Sequence, residues 1–400
     1  MTTMADNKDK KVLNVPHLRF PEFSGEWEET TLGKISEITK GSGISKDQLS
    51  EQGSPCILYG ELYTKYKSEI IDVVYSRTEL ESSSLVKSKA NDVIIPCSGE
   101  TAIDISTARC VPFNNILLGG DLNIIRLKHD DGGFFAYQLN GARKKDIARV
   151  AQGVSVVHLY GENLKHIRVY HPAIEEQKKI TRLLSLMDER IATQNKIIED
   201  LKLLKSAIIE RAYCNRSYHP CRIGDVIEQI SERNKDKSID MVLSVSNKQG
   251  FINQSEQFED RIIASEDTSN YKIVHKNDFA YNPARINVGS IARLTTIEMG
   301  IVSPMYICFR VRKGVVSEYL EHFFSTSYFF YEMQKRLEGS VRQCLSFEGI
   351  CNIPIYIPSS EEQHTIGKKI SVLLDKIDVE THYHCKLVEQ KHYLLRQMFI

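Results

Sequence analysis

The sequence predicts an α+β protein with two mixed, mostly β modules, joined by two long helices in a pseudo-two-fold internal repeat. Three observations support this fold class. A long stretch of the chain recurs at a fixed offset, and each copy carries short β-rich runs between turn residues. Each copy then ends in a long apolar pattern with spacings of three and four residues. We expect the two helices to pair as an antiparallel coiled coil.

The repeat is clearest over residues 153–180, which align without gaps on residues 339–366. The offset is 186 residues, the difference between positions 339 and 153. Ten of these 28 positions are identical, namely Gly153/Gly339, Leu159/Leu345, Glu162/Glu348, Ile167/Ile353, Tyr170/Tyr356, Pro172/Pro358, Glu175/Glu361, Glu176/Glu362, Gln177/Gln363 and Ile180/Ile366. Upstream the match survives as fragments, such as residues 91–93 against 277–279. One structural plan is therefore expected twice.

The length of 400 residues suits two or three domains better than one core. We expect five segments: a disordered tail at 1–14, a first module at 15–172, a first long helix at 173–214, a second module at 215–358 and a second long helix at 359–400. Within the modules, β-rich runs lie between Gly, Ser, Asn and Pro clusters, at residues 93–96, 122–127, 278–281 and 306–311. These runs are the predicted strands.

The composition excludes several classes of protein. The chain is 42% hydrophobic and 26% charged, and no apolar run approaches the length of a membrane span, so we expect no membrane association and a cytoplasmic location. Residues 1–14 lack the apolar core of a secretory signal. Nine cysteines without a C-x-x-C pair suit free, reduced thiols. With 52 basic and 52 acidic residues, any affinity for nucleic acid must be local or shared with partners.

The helical pattern follows Pro172 and recurs after Pro358. Its seam in the first helix consists of Leu184, Met187, Ile191, Gln194, Ile198, Leu201, Lys205, Ile208 and Ala212. The offset of 186 reproduces the seam as Ile370, Leu373, Ile377, Glu380, His384, Leu387, Lys391, Leu394 and Met398. Each helix is expected to run for roughly 35 residues, or about 50 Å. The alternative is that each helix only covers its own module. The length of the seam and its duplication favour pairing.

Sequence motifs for catalysis are absent or incomplete. There is no phosphate-binding loop and no dinucleotide fingerprint. Residues 282–285 share Asn-Pro with base-flipping amino-methyltransferases but lack their second proline and aromatic residue. His382 and His384 point apart on a helix, so a solvated or seam position fits them better than a metal site. Glu-Glu-Gln at 175–177 and 361–363 predicts helix capping. We expect no catalytic residue, no metal and no cofactor.

Polar loop segments are the candidate functional surface, because their side chains can reach base edges and phosphates. In the first module the candidates for DNA contact are Lys40, Ser42, Tyr59, Lys65, Lys67, Ser98, Thr101, Lys144 and Ser155. In the second module they are Arg233, Asn234, Asn247, Lys248, Tyr281, Asn282, Arg285, Asn287, Ser340, Arg342 and Gln343. Any single segment could be an ordinary solvated loop. The prediction depends on the whole set and on its duplication.

The chain from Val15 onward resembles the specificity subunit of type I restriction-modification systems. The resemblance lies in the opening Val-Pro-His-Leu-Arg-Phe-Pro at residues 15–21, in Trp27, and in the two borders where a proline precedes Glu-Glu-Gln. It implies two target-recognition domains, each of which reads one half of a split DNA site. It also implies that the antiparallel coiled coil fixes the length of the unread spacer between the two halves.

The same resemblance implies partners for the chain. These are double-stranded DNA, DNA adenine methyltransferase subunits and a restriction translocase-nuclease subunit, and S-adenosylmethionine would bind to the methyltransferase. The resemblance marks residues 281–289 and 339–343 as facing DNA in the second module. Residues 153–157 of the first module lack the Arg-Gln pair found at 342–343. Recognition by the first module is therefore expected to depend on residues 59–67 and 98–101.

Two other classes of function remain as alternatives. A coiled-coil interaction scaffold without DNA specificity would show no salt-sensitive DNA binding in the reconstituted complex. An enzyme that acts on nucleic acid by itself would methylate or cleave DNA as an isolated chain.

Overall fold

The computed structural model describes residues 13–81, 83–213, 215–247, 249–254, 267–339 and 343–400. The chain divides into two compact units. Unit 1 comprises residues 1–195 and 382–400, and unit 2 comprises residues 196–381. The borders of the units therefore fall inside the long helices. The tail expected at residues 1–14 lies outside the described residues except for Leu13 and Asn14, and the main-chain oxygen of Asn14 accepts a hydrogen bond from the Trp27 N–H (2.7 Å).

Unit 1 consists of short strands and short helices that precede the first long helix. Its strands are β1 (Glu28–Thr31), β2 (Ser36–Lys40), β3 (Ser54–Ile57), β4 (Ser76–Thr78), β5 (Asp92–Pro96), β6 (Ser98–Gly99), β7 (Arg109–Val111), β8 (Leu117–Leu118), β9 (Leu122–Leu127), β10 (Val157–His158) and β11 (Arg168–His171). Its short helices are α1 (Leu32–Ile35), α2 (Glu61–Thr64), α3 (Ala102–Ile105), α4 (Gly132–Asn140), α5 (Lys144–Val150) and α6 (Gly161–Lys165), with a 3-10 turn at Lys46–Gln48. The predicted runs at 93–96 and 122–127 are β5 and β9.

The main sheet of unit 1 has the strand order β2-β9-β5-β7, and each neighbouring pair is antiparallel. All five residues of β5 are buried because the strand separates two cores. Val93 and Ile95 face a core that includes Phe134 of α4, whereas Ile94 faces a core that includes Ile57 of β3. Side chains alternate between the faces of a strand, so a continuous apolar run is what a doubly covered strand requires. The second core joins the main sheet to a smaller sheet of order β4-β3-β8.

Unit 2 repeats this plan with its own strands and helices. Its strands are β12 (His219–Arg222), β13 (Ile227–Ile230), β14 (Val242–Ser246), β15 (Gly250–Asn253), β16 (Lys272–His275), β17 (Phe279–Tyr281), β18 (Ile291–Arg293), β19 (Met299–Val302), β20 (Ile307–Val311) and β21 (Pro354–Ile357). Its short helices are α8 (Ile223–Val226), α9 (Ser317–Phe323), α10 (Ser327–Gln334) and α11 (Phe347–Cys351), with a 3-10 turn at Ile286–Val288. The predicted runs at 278–281 and 306–311 are β17 and β20.

The main sheet of unit 2 is β13-β20-β17-β18, again antiparallel between neighbours. Its central strand also separates two cores, with Phe279 and Tyr281 in one and Ala280 in the other. The second sheet differs from that of unit 1, because it has four strands in the order β15-β14-β19-β16. The two modules therefore share a framework and differ in the sheet that covers it.

An ion pair between a buried aspartate and a partly exposed arginine occurs at the same place in both frameworks. The guanidinium of Arg126 on β9 donates two hydrogen bonds to the Asp92 carboxylate on β5, at 2.9 and 2.7 Å. Arg310 on β20 does the same to Asp278, at 2.6 and 2.8 Å. The hydrogen bonds from each arginine hold the pKa of its guanidinium above the ordinary range. Such bidentate pairs fix the register of neighbouring strands.

Two glycines also have equivalent structural roles. A Cβ atom on Gly33 of α1 would lie 2.9 Å from the Cβ of Lys165, and one on Gly224 of α8 would lie 2.9 Å from the Cβ of Cys351. Real Cβ atoms do not approach this closely, so each glycine allows a short helix to pack against the segment before the closing strand. The repeated Leu-Gly and Ile-Gly pairs in the sequence thus mark a close backbone approach.

The first long helix, α7, spans Ile174–Tyr213, and the second, α12, spans Ser360–Gln397. They are 40 and 38 residues long, or about 60 Å each, and so are longer than expected. Every residue of both predicted seams is buried or half-buried. In unit 1, Asp188 pairs with Lys391 and Arg190 contacts Tyr383, so the two helices run in opposite directions.

The end of α7 and the start of α12 likewise share a core in unit 2. Ile209, Tyr213 and Ile370 pack in one cluster with Phe279 and Phe309 of the main sheet. The two long helices therefore pair with each other and also cover the modules. The same helices do both, because their apolar stripe is wide enough to face a partner helix and a sheet.

The two helix starts confirm the predicted capping only in part. In the second helix, Glu362 accepts hydrogen bonds from the N–H and hydroxyl of Ser359, which is a capping arrangement. Glu176 of the first helix was assigned the same role, and this was wrong. Its carboxylate accepts two hydrogen bonds from Arg19, at 2.8 and 2.7 Å, because the segment before β1 packs against the helix.

The glutamines that follow have matching roles in the two units. The Gln177 side-chain oxygen accepts from the Asp131 N–H (2.9 Å), and its amide donates to the Pro172 main-chain oxygen (2.9 Å). Gln363 accepts from the Val316 N–H (2.7 Å) and donates to the Pro358 main-chain oxygen (3.0 Å). Each buried amide therefore fastens a long helix to its module.

Eight cysteines lie among the described residues, and each is unpaired, as the sequence predicts; Cys214 lies outside them. Burial raises the pKa of the Cys56 and Cys97 thiols to about 11. Within the described part of the chain, none of the helices is both long and apolar enough to cross a bilayer. His384 is half-buried and Cys385 is exposed on α12.

Candidate nucleic-acid interface

Two of the predicted segments in unit 1 line one cleft of about 860 Å³. Ser45 and its neighbours after β2 form one wall, and residues 58–65 at α2 form the other. The buried side chains of Ile44 and Leu58 give the cleft an apolar base. Tyr59 and Lys65, both in the predicted set, lie on its wall. The cleft therefore combines an apolar base with polar groups at its edge.

A buried carboxylate organises the α2 wall of this cleft. Glu61 accepts hydrogen bonds from the Leu58 N–H (3.1 Å) and from the Ser76 hydroxyl. It also forms an ion pair with Lys65 (2.6 Å). It thereby joins the turn before α2 to strand β4. The Lys65 side chain remains 45% exposed, so it can still reach an anion outside the cleft.

The edge of the same cleft continues along β6 and β10. The Ser98 hydroxyl on β6 donates to Asp121, which lines the cleft (3.3 Å). Strand β6 pairs with β10, so the loop before β10 lies beside it. That loop is exposed, with Val154 at 96% and Ser155 at its centre. Gly153 begins it with a φ of +116°, a conformation that favours glycine.

Four other candidates of unit 1 have partial internal roles. Lys40 is exposed, with its ammonium 6.0 Å from the centre of the Tyr160 ring. The Ser42 hydroxyl accepts a hydrogen bond from the Val86 N–H (2.8 Å). Thr101 is exposed and caps α3 by accepting from the Asp104 N–H (3.1 Å). Ser98 is buried and its hydroxyl is bonded to Asp121, so its predicted contact with DNA is not supported.

Lys67 and Lys144 do not line this cleft. Both line a separate cleft of about 640 Å³ in unit 1, together with Arg109 and Lys391. This cleft forms because the end of the second long helix, with Lys391 and Arg396, packs beside the two lysines. The sequence around Lys67 and Lys144 does not show this contact, so it could not distinguish them from the other candidates.

The corresponding cleft of unit 2 has a volume of about 250 Å³ and includes Asn282 and Arg285. Strand β17 ends at Tyr281, and the chain then turns through the 3-10 segment, which Gly289 closes with a φ of +90°. This turn leaves the Arg285 side chain exposed at the edge of the cleft. Among the described residues, no carboxylate pairs with Arg285. Its donors are therefore available to a ligand.

Burial removes two candidates of unit 2 from the set that can contact DNA. Asn234 is 0% exposed, and its side chain holds a turn by hydrogen bonds to the main chain of Ile239, at 2.9 and 3.2 Å. Tyr281 is also 0% exposed, and its hydroxyl donates to the Leu345 main-chain oxygen (3.2 Å). Their predicted contact with DNA was wrong, because both side chains are required inside the module. Asn282 is also buried, at 6% exposure, and its side-chain oxygen accepts from the Ala284 N–H (3.1 Å), although the residue lines the cleft.

The remaining candidates of unit 2 are exposed or not described. Arg233 is exposed and donates to the Asn270 side-chain oxygen (2.8 Å). Asn247, Asn287 and Gln343 are exposed. Lys248, Ser340 and Arg342 lie outside the described residues.

Some residues of both clefts were missed in the sequence. Lys46 and Gln48 line the cleft of unit 1 and were not predicted. Tyr63, inside the predicted segment 59–67, also lines it, and partial burial beside Tyr59 raises the pKa of its phenol, which keeps it a hydrogen-bond donor. A polar run directly after Ser45 was the available signal for the first two. Met305 and Gln254 line the cleft of unit 2. Met305 and Gln254 reach the cleft through the pairing of strands that are distant in the chain, and the sequence around them does not indicate this position.

Comparison with protein families identifies two copies of one domain in this chain. The model of the type I restriction modification DNA specificity domain matches residues 24–203 and residues 215–387. Two relatives come from Methanocaldococcus jannaschii. The putative type I restriction enzyme MjaX specificity subunit is 24% identical over 275 residues, which cover 62% of this chain and 62% of the relative. The type I restriction enzyme MjaVIII specificity subunit is 23% identical over 230 residues, which cover 55% of this chain and 50% of the relative.

Solved structures show the same fold over nearly the whole chain. The S subunit of a type I restriction-modification system from M. genitalium superposes with a TM-score of 0.60 at 16% identity, covering 96% of this chain and 99% of that one. A chain from a study of complex assembly and conformational transition of the type I R-M system gives a TM-score of 0.56 at 13% identity, covering 93% and 97%. The domain model matches the chain in two places, and the two matches together cover most of it. The chain therefore belongs to the family of type I restriction-modification DNA specificity domains.

Proposed function

We propose that this chain is the non-catalytic DNA-specificity subunit of a type I restriction-modification complex. The observation that carries the proposal is the presence of two specificity domains, each with a cleft bordered by exposed polar side chains. Each module reads one half of a bipartite site in double-stranded DNA. The paired helices set the spacer between the two halves.

The partners follow from the family and from the surface of the helices. The chain works with DNA adenine methyltransferase subunits, which bind S-adenosylmethionine, and with a restriction translocase-nuclease subunit, in the cytoplasm where the DNA is. Both relatives are named as specificity subunits of restriction enzymes. The long helices expose apolar side chains at Leu203, Val372 and Val379, which supports docking of protein partners on them.

The proposed recognition surface keeps the accessible candidates. In unit 1 these are Lys40, Ser42, Tyr59, Lys65, Thr101 and Ser155. In unit 2 they are Arg233, Asn247, Arg285, Asn287 and Gln343. Asn282 is kept because it lines the cleft, and Lys248, Ser340 and Arg342, which lie outside the described residues, are kept from the sequence prediction. The modules are proposed to extend over residues 15–172 and 215–358, with helical borders at 173–214 and 359–400. Their limits are close to those of α7 and α12.

The test is reconstitution of the full chain with its methyltransferase partner. We expect the complex to methylate adenine within one bipartite sequence, mapped by sequencing of modified DNA, and the isolated chain to neither methylate nor cleave. Binding should weaken steeply with salt, because phosphate contacts release counterions. Methyl transfer by the isolated chain, or a complex without sequence preference, would overturn the proposal. The second result would favour a coiled-coil scaffold.

A further inference from the structure

The second cleft of unit 1 has an unusual concentration of positive charge for a chain without net charge. Its charged walls are Lys67, Arg109, Lys144, Lys391, Arg396 and Glu69, and we call it the cationic cleft. Among the side chains that line the cleft, five are therefore cationic and one is a carboxylate. Lining groups come from the module and from the end of α12, so the cleft forms only when the helix packs on the module.

Two of the five cations are fixed by internal partners. Lys391 is 9% exposed and pairs with Glu69 (2.6 Å) and with Asp188 (2.5 Å), which lies behind the cleft on α7. Arg109 is 7% exposed, and it donates to the main-chain oxygens of Leu62 (3.1 Å) and Tyr66 (2.8 Å). These bonds orient both cations. Because Glu69 and Asp188 balance the charges of Lys391 and Arg109, the base of the cleft is rigid and close to neutral.

The other three cations have no carboxylate partner among the described residues. Lys144 is half-buried, and its ammonium is 3.5 Å from the Thr107 hydroxyl. Burial, followed by the charge of Arg109, lowers the pKa of Lys144. Lys67 donates only to the Thr64 main-chain oxygen (3.2 Å), and Arg396 is exposed. Cations held close together without an anion repel one another, so a bound anion would relieve the repulsion.

The internal repeat shows that this charge is not a requirement of the fold. At the offset of 186, Lys391 corresponds to Lys205, but Arg396 corresponds to Glu210 and Asp188 to Leu374. Glu210 accepts a hydrogen bond from the Ser327 N–H (2.7 Å), and Leu374 is exposed. Unit 2 thus has the same helical framework without the same charges. The charges of the cationic cleft, taken as a set, therefore belong to unit 1 and do not recur at these positions of unit 2.

We propose that the cationic cleft binds a phosphate group. Arginine and lysine side chains without a carboxylate partner are groups that recognise phosphate oxygens, and here three of them lie beside a rigid base. The phosphate has two possible sources, the backbone of DNA or a free phosphate compound. The first source rests on the proposed function, and the second does not.

The first arm of the test uses inorganic phosphate and the full chain. Phosphate is titrated at constant ionic strength against chloride, and binding is followed by calorimetry and by thermal unfolding with Trp27 fluorescence. Trp27 is the single tryptophan and is buried in unit 1. We expect saturable binding that raises the melting temperature. The double variant Lys144→Gln/Arg396→Gln should lose about tenfold or more in affinity. The matched control Lys89→Gln/Arg182→Gln removes the same charge from exposed positions and should bind as the parent does.

The second arm uses the reconstituted complex and DNA in phosphate-free buffer. If the source is the DNA backbone, the cleft variant should weaken binding to all sequences equally and reduce the slope of log affinity against log salt by about one for each lost contact. If the source is a free phosphate compound, DNA binding should stay unchanged while phosphate binding is lost. If neither the parent complex nor any variant bound DNA, the proposed function would be contradicted. Phosphate binding by the cleft would then be decided by the first arm alone. The cleft assignment is overturned if neither arm separates the cleft variant from its control.

Discussion

At the scale of single residues, the structure separates arginines that hold the modules together from an arginine that is free to bind. Arg126 and Arg310 each donate two hydrogen bonds to a buried aspartate and fix strand register. Arg285 has the same side chain, but it lies exposed at the edge of the unit 2 cleft. A guanidinium with its donors unused can make a bidentate contact to guanine.

The first prediction concerns Arg285. Arg285→Ala should weaken binding of the complex to its specific site by about 1 to 3 kcal/mol and relax the sequence preference in one half of the site. Competition binding and methylation mapping measure both effects. Arg312→Ala is the control, because Arg312 is exposed in the same unit and does not line the cleft. An equal loss on all DNA sequences would mean that Arg285 contacts a phosphate, and no loss would remove it from the interface.

The second prediction concerns His322, a buried histidine of α9. Burial, followed by the charges of Arg293 and Lys205, lowers its pKa to about 4. The unfolded chain takes up a proton near pH 6.5, whereas the folded chain stays neutral until about pH 4. Unit 2 should therefore lose stability as the pH falls from about 6.5 towards 4, by up to about 3 kcal/mol.

Hydrogen exchange over residues 317–334, corrected for the intrinsic pH dependence of exchange, measures this loss. In His322→Leu the pH dependence between 4 and 6.5 should become flatter, because the titrating group is gone. The same slope in the variant and the parent would assign the effect to other groups of unit 2.

At the scale of elements, each long helix is fastened to its module by one buried glutamine. Gln177 and Gln363 lie at the offset of the repeat and bind equivalent main-chain groups at the turn before a helix of the module. Sequence alone predicts helix starts here, because a proline precedes a capping pattern. It does not show that the glutamine faces inward, since this depends on the module that packs beside it.

The third prediction follows from these amides. Gln177→Ala and Gln363→Ala should each destabilise their own unit by about 1 to 3 kcal/mol, because buried main-chain groups lose their partners. Urea unfolding followed by Trp27 fluorescence reports unit 1, and hydrogen exchange reports unit 2. Lys178→Ala and Lys368→Ala are exposed neighbours on the same helices and should stay within about 0.5 kcal/mol of the parent. If the glutamine variants lost as little free energy of unfolding as these controls, the hydrogen bonds of Gln177 and Gln363 would contribute little to stability.

At the scale of the whole molecule, the proposed function predicts that the two long helices act as a ruler between the half-sites. The separation of the half-sites should follow the length of the helices, which are rigid over many turns. A change in helix length should therefore alter which DNA sites are bound without altering which bases are read.

The fourth prediction tests this ruler. Seven residues are inserted into each long helix. In the first helix, four follow Ile191 and three precede Leu201, and the second helix is changed at the equivalent positions. The insertion keeps the seam and lengthens each helix by roughly 10 Å. This is about three base pairs, and it rotates one half-site around the duplex. The variant should fold, bind its partner and lose the original site in methylation mapping. An unchanged preference for the original spacer in a folded, partner-bound variant would eliminate the ruler.

The sequence by itself determined the duplicated plan, the four predicted strands that were found, the two long helices and the family. These properties follow from local patterns: the continuous apolar run of β5, the spacings of three and four residues along α7, and the repeat offset of 186. Tertiary structure decided which polar residues are available. Asn234 and Tyr281 look like contact residues in the sequence but are buried, and Lys67 and Lys144 line a different cleft from Tyr59. Lys391 interrupts an apolar seam because Glu69, 322 residues away, supplies its counter-charge. Burial and charge pairing arise between segments that are distant in the chain, and local periodicity carries no record of them.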